Sequence, residues 1–126
     1  MSWCFKDEVS RYSEKALDLL SENETIAPPI WSLEVTNVLL VAQRNRRLSE
    51  AQSARFLELL RSLPIKEEPS PSFLSEALPL LAREHGLSAY DASYLDLALR
   101  AGVPLATMDK KMKAAARRCD LLLKFP

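Results

Sequence analysis

LSAYDASYLDLALRAGVPLATMDKK, Leu87–Lys111, is the stretch on which the reading of this chain turns. Asp91 opens a helix, Tyr90 to Ala101, whose other residues are largely apolar: Ala92, Tyr94, Leu95, Leu97, Ala98 and Leu99. Gly102 stops it, Val103–Met108 reads as a short strand, and Asp109 ends that strand and begins a helix from Lys110 to Arg118. Each aspartate thus stands at the edge of a buried element. An unpaired carboxylate costs several kcal/mol to bury, so two of them where strand ends meet helix starts suggest a metal site. The competing reading is structural. An Asp in the first turn of a helix is a common N-cap and complements the helix dipole. Taken singly, each aspartate reads as a cap; the pair gains weight only with a third acid.

That third acid lies upstream. Thr25-Ile26-Ala27 reads as a strand stopped by Pro28-Pro29, and a largely apolar helix, expected to be mostly buried, follows from Ile30 to about Asn45. Glu34 and Asn37 sit three apart on one face of it. Arg44, Arg46 and Arg47 crowd its C-terminal end, where cations complement the dipole. Ser49, with Gln52 at the capping-box position, begins a helix to Leu63 with Phe56, Leu57, Leu59, Leu60 and Leu63 inward. A second strand is expected over Pro64–Glu68. A helix capped by Ser70 or Ser72 runs to Glu84, with a kink or break at Pro79. Gly86 stops it, and His85, the sole histidine, reads as a packing or capping residue. At the ends, a helix is expected from Asp7 to about Ser21 and a last strand at Leu121–Leu123. Strands separated by helices of this length form a parallel sheet covered by helices, which places ligands beyond the carboxyl ends of its strands.

Composition narrows the function. The 126 residues suffice for one domain, and 48% of them are apolar and 27% charged, as in a soluble globular protein. Lys plus Arg and Asp plus Glu both total 17, which argues against binding nucleic acid through the whole surface but not through a local basic patch. No apolar run approaches the ~18 residues of a membrane span. No secretory leader is visible, so a cytoplasmic protein with reduced Cys4 and Cys119 is expected. One histidine and no CxxC pair argue against zinc. Two glycines leave no phosphate-binding glycine loop.

Glu34, Asp91 and Asp109, if they converge, would repel one another without a cation. Oxygen ligands without His or Cys favour Mg²⁺ or Mn²⁺. Such an ion can activate water against a phosphodiester. No protein nucleophile is visible, so the implied reaction is phosphodiester hydrolysis, with Asn37 and Thr107 as supporting residues.

These pieces in this order resemble the PIN-domain ribonucleases, specifically the VapC-like toxins of type II toxin–antitoxin pairs. The resemblance is carried by SWCFKDE near the start, PPIWSLEVTNVLL with Glu34 and Asn37, the linked helix pair RNRRLSEAQSARFLELL, and HGLSAYDASYLDLALRAGVPLATMDKKM with Asp91, Thr107 and Asp109. It runs from Ser2 to Leu123. It implies an α/β, three-layer α/β/α domain with a five-stranded parallel sheet, an acidic pocket holding Mg²⁺ or Mn²⁺, and RNA cleavage. It also implies a homodimer inhibited by a cognate antitoxin. Glu34, Asp91 and Asp109 match the second, third and fourth acids of the family.

In the family a first strand ending in a first acid precedes the SWCF segment; this chain has neither. About ten residues, a strand of ~5–6 plus the aspartate and its turn, are expected to be missing, through a late-assigned start or truncation. The single domain, residues 1–126, is then N-terminally incomplete, weakly active or inactive, and poorly stable. RNA contacts are expected from Arg44, Arg46 and Arg47, or from Lys110, Lys111, Lys113, Arg117 and Arg118. The alternative to a nuclease is a non-catalytic PIN-like scaffold or antitoxin-binding module working through the helix pair Ile30–Leu63. A DNA-binding helix-turn-helix at Leu48–Leu63 fails for want of a polar recognition face.

Overall fold

Pro28 and Pro29 set the first corner. Proline cannot continue a sheet ladder but suits a helix start, so strand β1, Thr25–Ala27, ends there and helix α1, Ile30–Arg44, begins at once. The computed structural model describes residues 23–69, 76–107 and 109–123. The expected helix Asp7–Ser21, the SWCF segment, the caps at Ser70 or Ser72 and Met108 lie outside these.

The described residues fall into two compact units that divide between Glu67 and Glu68. In the N-terminal unit, α1 is followed by α2, Glu50–Ser62, and strand β2, Ile65–Glu67. β1 and β2 pair in parallel, Thr25 with Ile65, Ile26 with Lys66 and Ala27 with Glu67. The Thr25 N–H donates to the Pro64 carbonyl at 2.9 Å, extending the pairing by one residue. Parallel strands need a long crossover, and the two helices provide it. At the C-terminal end of β2, the Glu67 carboxylate accepts a hydrogen bond from the Ser32 hydroxyl, tying α1 to the strand.

α1 and α2 are joined by a basic linker and pack together. Arg46 turns the chain at φ 58°, and the Arg47 N–H returns to the Ala42 carbonyl at 2.8 Å. The capping box of α2 is complete: Ser49 Oγ accepts from the Gln52 N–H at 3.1 Å, and the Gln52 side chain accepts from the Ser49 N–H at 2.9 Å. Two orphan N–H groups are thereby satisfied. Val35 and Leu39 of α1 pack with Leu60 of α2, ringed by Trp31, Leu48, Phe56, Leu57 and Leu63.

Two sequence expectations need correction in this unit. α1 is not mostly buried: Leu33 is 68% exposed, and Leu40 and Val41 are exposed too. Only Val35, Leu39 and Ala42 are buried, spaced four and three apart, so one stripe of the helix carries its burial. Leu59, expected inward from its apolar character, is exposed. The inward stripe of α2 runs through Ser53, Phe56 and Leu60, and Leu59 lies ~100° around the helix from Leu60.

The C-terminal unit holds helices α3, Ala77–His85, α4, Ala89–Ala101, and α5, Lys110–Arg118. Leu87, Ala92, Leu95, Met112 and Ala115 form its core, with Leu78, Leu81, Ala82, Tyr94, Leu105, Cys119 and Leu121 packed around them. Gly86 and Gly102 end α3 and α4 at φ 64° and 66°, the left-handed cap that glycine adopts without strain. Of the kink or break expected at Pro79, no break appears within the described helix. Pro79 occupies the first turn of the described helix, where its missing N–H would have had no intrahelical acceptor. The expected strands Val103–Met108 and Leu121–Leu123 shrink, among the described residues, to one parallel bridge between Leu105 and Leu122. The Leu105 N–H donates to the Leu121 carbonyl at 2.6 Å, and the Leu123 N–H to the Leu105 carbonyl at 3.0 Å. Pro104 has no N–H to add a further ladder bond. The class is α/β with parallel strand pairing, as expected.

Candidate active site

Asp109 is the N-cap of α5. One carboxylate oxygen, Oδ2, accepts the Met112 N–H at 2.9 Å. The Thr107 hydroxyl in turn accepts the Asp109 N–H at 3.1 Å, holding the backbone of the cap residue. The capping role is thus real, and it occupies one oxygen only. A carboxylate has two oxygens and several acceptor sites, so the cap alone does not use up the acceptor capacity of this exposed residue.

Asp91 lies in the first turn of α4, three residues after the N-cap Ser88, whose hydroxyl accepts the Asp91 N–H at 3.1 Å. Ser88, not Asp91, is therefore the cap. The S-x-x-D spacing of Ser88 and Asp91 was the signal for it. Asp91 is a half-buried residue, followed by the fully buried Ala92 and, one turn on, the fully buried Leu95. Tyr94, one turn on, packs against the core cluster, in keeping with a structural role.

Glu34 belongs to the N-terminal unit, where it is half-buried on α1, and Asn37 is exposed one turn later. Among the described residues, no group of three or more His, Cys, Asp or Glu side chains stands close enough to hold a metal ion. Magnesium is commonly held by one or two carboxylates, with waters and substrate phosphate completing its shell. Two aspartates at helix starts within one unit, offering oxygen donors only, are of the right chemical kind for it.

Sequence reasoning missed one cluster. Arg118 Nε donates to His85 Nδ1 at 3.2 Å, and Cys119 Sγ lies 3.9 Å from His85 Nε2. His85 closes α3 and Cys119 closes α5, so the cluster joins the C-terminal ends of two helices. Nothing in the spacing of residues 85, 118 and 119 announces it.

Comparison with known proteins identifies the family. The PIN domain family model matches residues 2–118. Ribonuclease VapC3 of Pyrobaculum aerophilum is 31% identical over 108 residues, covering 84% of this chain and 80% of that protein. Ribonuclease VapC1 of Mycobacterium tuberculosis is 34% identical over 98 residues, covering 77% of this chain and 71% of that protein. A match over nearly the whole chain, with helices and parallel strands in the expected order, leaves one conclusion: this chain belongs to the PIN-domain family and is of the VapC-like ribonuclease kind.

Proposed function

We propose that the chain is a divalent-metal-dependent endoribonuclease, the toxin of a type II toxin–antitoxin pair. The observation that carries this reading is the similarity, over most of the chain, to relatives named as ribonucleases. Asp91, Asp109 and Glu34 would hold Mg²⁺ or Mn²⁺. When bound, such an ion offers Lewis acidity at phosphorus and an activated water as nucleophile. The chain's own residues do the positioning. Asp109 is fixed at the start of α5 by its bond to Met112 and by the Thr107 hydroxyl behind it. Asp91 is fixed in the first turn of α4 by the Ser88 cap. Asn37 would orient Glu34 from the next turn of α1. The partners proposed are RNA, a cognate antitoxin that blocks the acidic groove, and a second copy of the chain, all in the cytoplasm. No helix among the described residues is long and apolar enough to cross a membrane.

A second reading, a non-catalytic PIN-like scaffold, is favoured by the lack of a three-acid group among the described residues. Ribonuclease assay with Mg²⁺ or Mn²⁺, with and without chelator, separates the two. The nuclease reading expects cutting that chelator stops, that Mn²⁺ restores, and that Asp91→Asn abolishes with little loss of fold. Cutting unchanged in Asp91→Asn sinks it, as does no cutting under any metal by a chain extended with the first strand and first acid that the resemblance implies.

A further inference from the structure

Helix α5 opens against its own electrostatics. Its sequence, KKMKAAARR, carries five cations and no acid. Lys110 and Lys111 fill the first two helical positions, where the helix dipole favours acids and disfavours cations. Met112, Ala115 and Ala116 form the buried side. At ~100° per residue, Lys110, Lys111, Lys113, Arg117 and Arg118 cover an arc of about 160° opposite it. Lys110, Lys111 and Arg117 are exposed and have no carboxylate partner among the described residues. Like charges one turn apart destabilise a helix. α4 shows the usual solution, an Arg100–Asp96 pair at 2.9 Å, four residues apart.

The other basic cluster has local explanations. Arg44 sits in the last turn of α1, where a cation complements the dipole. Arg46 shapes the linker with a left-handed backbone, and Arg47 has a partner of its own. In α5, Arg117 and Arg118 also lie in the last turn, Arg118 bonds His85 and Lys113 has a partner of its own, but Lys110 and Lys111, at the end of the helix that disfavours cations, have no such explanation within the fold.

The geometry points to the exposed side of α5 as the surface that grips the phosphate backbone of a single-stranded RNA, with Lys110, Lys111 and Arg117 as its contacts. This rests on the nuclease reading and names the residues that hold its substrate. Asp109, a proposed metal-holding residue, is the N-cap of the same helix. The cationic arc therefore starts at the next residue and leads away along α5, so a strand lying on it presents a phosphodiester near the carboxylate. A repeating backbone charge is what a row of point cations recognises, and it carries no base information.

The test is binding of a fluorescent single-stranded oligoribonucleotide, by anisotropy, in chelator so that nothing is cut, across a salt series. Each phosphate contact on a single strand contributes a slope of about 0.7 in log affinity against log salt. The double variant Lys111→Gln, Arg117→Gln should lower the slope by about 1.4 and weaken binding about 25-fold at about 0.1 M salt. Arg44→Gln, Arg46→Gln removes the same charge and should leave the slope unchanged. Thermal melting of Lys111→Gln should be unchanged or raised, since the lysine opposes the dipole. Equal losses in both double variants, or an unaltered slope in the α5 variant, overturns the interface. Cutting of the same oligonucleotide with Mg²⁺ is scored in parallel. Wild-type cutting with an unaltered slope in the α5 variant removes the interface and leaves the nuclease standing. Binding with the predicted slopes but no cutting does the reverse, and neither binding nor cutting removes both.

Discussion

Asp109 is asked to do two jobs, and two substitutions separate them. As N-cap, it needs only an oxygen that accepts the Met112 N–H at 2.9 Å. Asn supplies one, and Asn and Asp rank equally as caps. Asp109→Asn therefore loses only the dipole-complementing charge, ~0.3–1 kcal/mol. Asp109→Ala loses that and the cap, a further ~1 kcal/mol. For a chain of 126 residues, the extra ~1 kcal/mol places the Ala variant about 3–5 °C below the Asn variant in a melt followed by circular dichroism. As metal-holding residue, Asp109 needs its negative charge, which Asn lacks. Loss of mere outer-shell support at a metal site costs about 10–100-fold, so loss of a direct ligand should cost at least the upper end of that range. Both variants should thus cut RNA at least about 100-fold more slowly, while only one is clearly less stable. Wild-type cutting by Asp109→Asn would reduce Asp109 to a cap. Equal stability of the two variants would remove the cap from the argument.

Two further outcomes concern the cores of the two units. Leu95 is fully buried at the centre of the C-terminal unit; Leu95→Ala should cost ~2–5 kcal/mol in urea unfolding, and a cost below ~1 kcal/mol would mean that the packing around α4 is not as described. Ser53 is buried on the inward stripe of α2, and its hydroxyl has no hydrogen-bond partner; Ser53→Ala removes that unsatisfied group and improves helix propensity, so it should raise stability by ~1–2 kcal/mol, and a loss of stability would show that the hydroxyl is satisfied in solution.

The helices were legible where local chemistry marks both ends. Ser49 with Gln52 opens α2, Gly102 closes α4, and Asp109 opens α5, and each boundary falls within a residue of its expected place. These signals work because capping is settled by neighbours three or four residues away. The errors arose where a rule was applied without its position. Pro79 breaks a helix only if its N–H is needed, and in the first turn it is not. Leu59 is apolar but lies off the stripe that Ser53 and Leu60 define. The strand expected from Val103 is a single bridge at Leu105 because pairing depends on a partner chain segment, which a run of apolar residues does not specify.

The candidate site was legible in kind and not in arrangement, for the same reason. A cap and a metal ligand leave one signature in sequence, a carboxylate where an extended segment meets a helix, since both roles exploit the exposed start of that helix. The structure separates the two aspartates on this point. Asp109 itself caps its helix through Oδ2, whereas at α4 the serine three residues earlier caps, so the local need for a carboxylate at position 91 is weaker. An acid on a half-buried residue that the helix does not require as its cap is harder to explain structurally than an exposed one that it does. On this argument Asp91, not Asp109, is the residue whose replacement tests the metal site most cleanly. Its change to Asn should leave the Ser88 cap, and with it the start of α4, in place.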